Sequence, residues 1–184
     1  MIVFLLLVYK ELKSILKLTY KALMEKYMLE SNALENETSI QMTVLMTPDM
    51  VNFSGKVHGG AILKLLDQVA YVCASRYSGH YVVTLSVDQV FFRHPIHVGE
   101  LVSFLASINF TGRSSMEVGI KVVSEDTKTR VVNHVLSSYI TMVAVDENGK
   151  SVEIPQLKIT AEKQKERYDS ALQRKKLREQ LWKK

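Results

Sequence analysis

The sequence predicts an α+β fold: one domain in which a curved antiparallel sheet wraps around one long helix, followed by a C-terminal helix. Three observations lead there. The run Ala61–Ser75 is apolar nearly all round, and a helix of that kind belongs in a core. The segments after it alternate with period two and are rich in β-branched and aromatic residues. Short turns of Gly, Asn, Asp and Ser join them, which is antiparallel connectivity.

Taken in order, Ser31–Glu37 is a polar linker, and Ser39–Met46 alternates as a first strand. Pro48, Asp49, Asn52, Ser54 and Gly55 are loop formers. His58-Gly59-Gly60 opens the helix, which ends near Ser78, with Gly79 as its C-terminal cap. Val82–Phe92 reads as a second strand that His94-Pro95 terminates. Leu101–Phe110 is a third, and Thr111-Gly112-Arg113-Ser114 is a turn. Ser115–Ser124 is a fourth strand, with Met116, Val118, Ile120 and Val122 on one face. Asp126–Thr129 turns the chain into a long fifth strand, Arg130–Val145. Asp146-Glu147-Asn148-Gly149 is hairpin chemistry, with a short strand expected to return before Pro155. A charged helix starts at Thr160. The divisions are an N-terminal extension and linker over 1–37, a domain over 38–157 and a basic helical tail over 158–184.

A chain of 184 residues with 47% hydrophobic content supports one domain with a real core. The formal charge of +5 is unevenly spread. Residues 158–184 hold ten Lys/Arg against four Asp/Glu, a net of +6, so the remainder nets −1. That weakens a nucleic-acid reading of the domain, and the acidic residues interleaved in the tail favour a solvated or oligomer-packing helix. The single cysteine, Cys73, has no partner for a disulfide or a metal site, which places the chain in a reducing compartment, the cytoplasm. Within an apolar helix, on the face away from Asp67, Cys73 reads as packing rather than as a nucleophile.

The first eight residues, MIVFLLLV, are too few to span a bilayer, and without a basic n-region or a small-residue cleavage site no secretory signal is expected. Stable membrane insertion is not expected. Residues 9–30 have a basic amphipathic pattern that suits a membrane surface or a partner. The preferred expectation is that the true start is Met24 or Met28.

The chemistry concentrates in Thr47–Gln68. Gly59 and Gly60 bare backbone N–H groups at the positive end of a helix dipole, where a developing oxyanion is stabilised. Asp67 follows Gly60 by seven residues, two turns, and so shares its face. Lys64, Gln68 and Tyr71 share that face too, so spacing alone also allows an ordinary solvated stripe. His58 is by residue type more often a helix cap than a catalyst.

The ordered set Pro48-Asp49, Asn52, Gly55, Val57-His58-Gly59-Gly60, Asp67, Val83-Thr84, Val87, Phe92, Pro95, Gly99-Glu100 and Thr111-Gly112-Arg113-Ser114-Ser115-Met116-Glu117-Val118 resembles the hotdog-fold acyl-CoA thioesterases, the bacterial and cytosolic acyl-CoA hydrolases. The likeness runs from about Ser39 to Pro155. It implies hydrolysis of fatty acyl-CoA to the free acid and coenzyme A, with Asn52 and Asp67 as a catalytic pair facing each other from different protomers. Thr84 would support Asp67 or the attacking water, and Gly60 would supply the oxyanion donor. It further implies homodimers joined sheet edge to sheet edge and assembled as a hexamer, a trimer of dimers. No metal and no cofactor are expected, coenzyme A entering as part of the substrate. Its phosphates call for a basic site mouth, with Arg113 the first candidate, Ser114 and Ser115 as hydroxyl donors, and Lys121 second. His58 and Gly59 would complete the substrate contacts. The competing readings are a hotdog enoyl-CoA hydratase with His58 as base, and a non-catalytic acyl-CoA sensor.

Overall fold

The computed structural model describes residues 38–182. The N-terminal extension, with its alternative starts at Met24 and Met28, lies outside the described residues. The elements are β1 (Ser39–Leu45), a 3-10 turn (Pro48–Met50), α1 (Gly59–Ser78), β2 (Tyr81–Val87), β3 (Leu101–Thr111), β4 (Ser115–Glu125), β5 (Val132–Val145) and α2 (Glu162–Trp182). The five strands form one curled antiparallel sheet in the order β1-β3-β4-β5-β2. The fold is the α+β arrangement expected.

Helix α1 starts where His58 leaves the extended region and ends where Gly79 adopts φ +72°, a left-handed cap that needs glycine. Its Ile62, Leu66, Val69, Ala70, Cys73 and Ala74 are buried against the sheet. Their counterparts are the inward residues of β3, β4 and β5, among them Phe104, Val118, Ile120 and Ile140. The predicted inward row on β4, Met116 to Val122, is entirely buried. Each large side chain of this kind contributes roughly 1.5–3 kcal/mol through apolar burial.

The helix is not covered all round. Leu63, Lys64, Asp67, Gln68, Tyr71 and Val72 form an exposed stripe in the single chain. Strand β2 lies beside it at one edge of the sheet, with Tyr81, Val83, Leu85 and Val87 exposed. An apolar, unpaired edge of this sort is what soluble proteins normally avoid.

Two strand expectations change. The second strand stops at Val87, not Phe92. From Asp88 the chain still follows β5, but only at intervals, through Asp88 N–H to Tyr139 C=O and Arg93 N–H to Val135 C=O. The apolar residues Val90, Phe91 and Phe92 mimic a strand that the backbone does not continue. The return strand before Pro155 is a single bridge, Val145 to Ser151, followed by bonds from Val152 to Ala144 and from Ile154 to Arg113.

Helix α2 covers the outer face of the sheet, opposite α1. Side chains alternate along β4, so Met116 faces the core while Glu117 and Gly119 face outward. Ala171 is fully buried there, and the Tyr168 ring packs on Phe110 at 5.4 Å. Gly119 has no side chain because the Asn109 amide occupies the space a Cβ would take. The basic segment expected as a solvated or oligomer-packing helix is docked on its own sheet, and its arginines hold it. Arg174 Nη2 donates to Glu117 Oε1 at 2.6 Å, and Arg178 donates to Glu117 Oε2 at 3.0 Å and to Asp88 Oδ2 at 2.7 Å. The Arg174 guanidinium lies 3.5 Å from the centre of the Tyr139 ring. Glu117 is 1% exposed, so its charge needs these partners.

Candidate active site

Asp67 projects from the exposed stripe of α1 towards β2. The Thr84 hydroxyl donates to Asp67 Oδ1 at 2.6 Å, a short, charge-assisted bond. It fixes one carboxylate oxygen, and Oδ2 has no hydrogen-bond partner among the described residues. The pair lines an open groove of about 590 Å³. Its other walls are Met42 from β1, Gln68, Tyr71 and Val72 from α1, and Tyr81 to Val83 from β2. Tyr71 and Tyr81 meet edge to face with ring centres 5.9 Å apart. A carboxylate, a hydroxyl and an apolar trough are the parts of a site for an acyl ester.

Asn52 does not line this groove. It heads a tight loop closed by a Val51–Val57 bridge. Asn52 Oδ1 accepts from Ser54 N–H at 2.9 Å, Ser54 Oγ at 2.7 Å and Lys56 N–H at 3.3 Å. Gly55 completes the turn at φ +72°. The side-chain oxygen is thus used to shape the loop. The amide NH2 makes no hydrogen bond among the described residues and remains a donor.

His58 caps α1: its Nδ1 accepts from Gly60 N–H at 2.8 Å. The amide expected to hold an oxyanion is therefore occupied by the imidazole. This geometry requires a neutral ring with its proton on Nε2. Gly60 has a steric reason to be glycine, whereas a side chain at Gly59 would meet only an ordinary van der Waals contact. A Cβ on Gly60 would stand 2.8 Å from His58 Nδ1, and one on Gly59 would stand 3.5 Å from the Phe92 ring.

The Arg113–Ser115 turn lies near the groove in register. Ser115 pairs with Val143, and Val143 pairs with Val83. Two strand spacings, roughly 10 Å, separate them. Arg113 is exposed, with its carbonyl accepting from Ile154 N–H and that of Ser114 from Ala144 N–H. Ser115 faces a small outer cavity shared with Glu117 and Lys175. Lys121 stands apart: it is exposed on the outer face of β4, six residues beyond Ser115, or about 20 Å along the strand. The sheet separates it from Asp67, because α1 packs on the other face. Tyr71, Tyr81 and Met42 were not singled out as site residues, although Tyr71 sits one turn from Asp67.

Among the described residues no group of three or more His, Cys, Asp and Glu side chains is placed to hold a metal ion, and no helix is long and apolar enough to cross a membrane.

Comparison with known proteins agrees with this fold. The family model described as the Thioesterase superfamily matches residues 54–131. A solved structure described as an apo-hexameric acyl-CoA thioesterase superposes with a TM-score of 0.76 at 34% identity, covering 79% of this chain and 94% of that one. An acyl-CoA hydrolase from Staphylococcus aureus, solved with butyryl coenzyme A and coenzyme A, superposes with a TM-score of 0.73 at 30% identity, covering 79% and 88%. The chain belongs to the hotdog acyl-CoA thioesterases of the thioesterase superfamily. Protein VdlD of Helicobacter pylori (strain ATCC 700392 / 26695) is 52% identical over 143 residues, 78% of this chain and 82% of that protein. The S. aureus hydrolase has also been solved with single alanine replacements of an Asn, an Asp and a Thr. Their separations along that chain equal those of Asn52, Asp67 and Thr84 here.

Proposed function

We propose that this protein hydrolyses fatty acyl-CoA to the free acid and coenzyme A, at a site completed by two protomers. The Thr84–Asp67 bond at 2.6 Å in an open apolar groove carries the reading. Asp67 takes a proton from a water that attacks the thioester carbonyl carbon, or attacks that carbon itself, expelling the thiolate and forming a mixed anhydride that water then hydrolyses. In the first route the water oxygen bonds to carbon, the C–S bond breaks, and the thiolate of coenzyme A departs with its electron pair. A thiolate is a good leaving group, so no strong general acid is needed.

The Asn52 amide of the second protomer orients the water or the thioester. The amides of Gly59 and Gly60 stabilise the oxyanion, with the His58 ring turning aside to release Gly60 N–H. Arg113 and Ser114 receive the nucleotide phosphates, whereas Ser115 faces the outer cavity with Glu117. Lys121, on the far face, contributes at most through the overall field. The exposed β2 edges of two copies pair to close the groove, and further assembly builds a trimer of dimers. The lone thiol fits the reducing cytoplasm.

The test is thiol release from acyl-CoAs of increasing chain length, combined with subunit mixing. Asn52→Ala and Asp67→Asn are each expected to be inactive alone. Mixed dimers hold one intact site, so exchange restores activity. No recovery after demonstrated exchange defeats the shared site, while a wild-type protein that cleaves no acyl-CoA defeats the activity itself.

A further inference from the structure

The aromatic side chain next to Asn52 has no partner among the described residues. Phe53 is 114% exposed at the tip of the Asn52–Lys56 loop. The loop does not hang free. Asn52 N–H donates to Lys56 C=O at 2.7 Å, Gly55 N–H donates to Asn52 C=O at 3.0 Å, and the Asn52 side-chain oxygen takes three donors. A phenyl ring presented to water on a hydrogen-bonded loop is preorganised for insertion elsewhere.

The same chain carries an open apolar groove that its own loop does not reach. Knob and groove on one chain are complementary under a twofold axis, where each patch meets the other in a second copy. The exposed β2 edge beside the groove is continuous with it. Neighbouring Cα atoms are 3.8 Å apart, so a loop that carries Asn52 to the partner's catalytic carboxylate also delivers Phe53 to the trough around it.

We propose that Phe53 enters the groove of a second copy and forms the wall that limits acyl-chain length there. The inference rests on the shared site proposed above. A phenyl ring fills only part of about 590 Å³, and the space left between it, Tyr71 and Tyr81 is the acyl slot. Phe53 is a specificity determinant, acting through the alkyl chain.

Two measurements test this on the full chain. The photoreactive analogue p-benzoylphenylalanine, placed at position 53, is expected to give a covalent dimer joined to the peptide Gln68–Arg76 or Tyr81–Val87. Crosslinks only within the chain, or none while the oligomer persists by mass, overturn the proposal, as does a monomeric wild-type protein. Phe53→Ala should move the ratio of kcat/KM for long over short acyl-CoA by about tenfold towards long chains, and Phe53→Trp should move it the other way. Both should keep the wild-type mass. Parallel losses at every chain length overturn the assignment. If mixing of Asn52→Ala and Asp67→Asn subunits still restores activity in that case, the shared site stands and only the role of Phe53 falls.

Discussion

Asp67 and Glu117 are two carboxylates on opposite sides of one sheet, and their surroundings differ in kind. Glu117 lies beneath α2, 1% exposed, and both oxygens are held by Arg174 and Arg178. Asp67 faces an open groove and receives one hydroxyl, from Thr84. A carboxylate whose acceptor sites are filled by arginine is a structural clamp, because no proton or carbonyl can reach it without breaking the clamp. A carboxylate steadied at one oxygen and open at the other is arranged to act. The same contrast separates the two helices. α2 has docked its arginines, whereas α1 leaves an exposed stripe beside an unpaired strand edge.

Substitution of the two carboxylates separates the roles. Asp67→Asn should lower kcat by about 10²–10⁴-fold, the span expected for losing a general base, with melting temperature and assembly unchanged. Near-normal turnover in a folded variant would return Asp67 to the solvated-stripe reading. Glu117→Ala should do the reverse. It leaves Arg174 without its carboxylate, and costs about 3 kcal/mol of stability, reduced because both arginines are about one fifth exposed. Melting by calorimetry should fall by several degrees. The well-folded fraction should keep its kcat.

Arg113→Ala sharpens the comparison at the site mouth. An exposed cation that meets phosphate adds uniform binding, so KM for acyl-CoA should rise about tenfold with kcat nearly constant. A truncated thioester without the nucleotide should be affected much less. Equal losses on both substrates would make Arg113 a residue that supports the turn.

The core was legible because it is periodic. The inward row of β4 and the buried face of α1 follow directly from alternation and helical spacing. The Asp67–Thr84 pair was reachable through motif order, since Thr84 is seventeen residues away and no local spacing links them. What periodicity missed is long-range pairing. Glu117 to Arg174 spans 57 residues, and a buried glutamate within an outward-facing row reads as exposed. The overlong second strand has a similar cause: Phe92 is apolar because it packs near Gly59, not because a ladder continues. The His58 cap was foreseeable from residue type, but its capture of the Gly60 amide depends on a ring rotation that spacing does not encode. The polar part of the exposed stripe, Lys64, Asp67 and Gln68, was legible from helical spacing, whereas the apolar Leu63 and Val72 beside it read as core and are exposed.

The smallest expected effect concerns Cys73, which lies on the buried side of α1, the opposite of Asp67. It is 1% exposed, and burial pushes its thiol up to about 12, with Arg76 opposing weakly. A thiol held that high stays neutral near pH 7, which suits packing rather than a role as nucleophile or ligand. Iodoacetamide should therefore leave the folded protein unmodified and fully active, and should label it rapidly in denaturant. The linkage has a definite sign. The folded pKa lies above the unfolded one, so the contribution is intact below about pH 9. Above that the unfolded chain loses its proton first, and stability falls as pH rises towards 12. Cys73→Ala should remove this alkaline decline at a small, pH-independent packing cost. If the decline persists undiminished in Cys73→Ala, it belongs to another group, and rapid alkylation of the native enzyme would show that the buried side of α1 opens in solution.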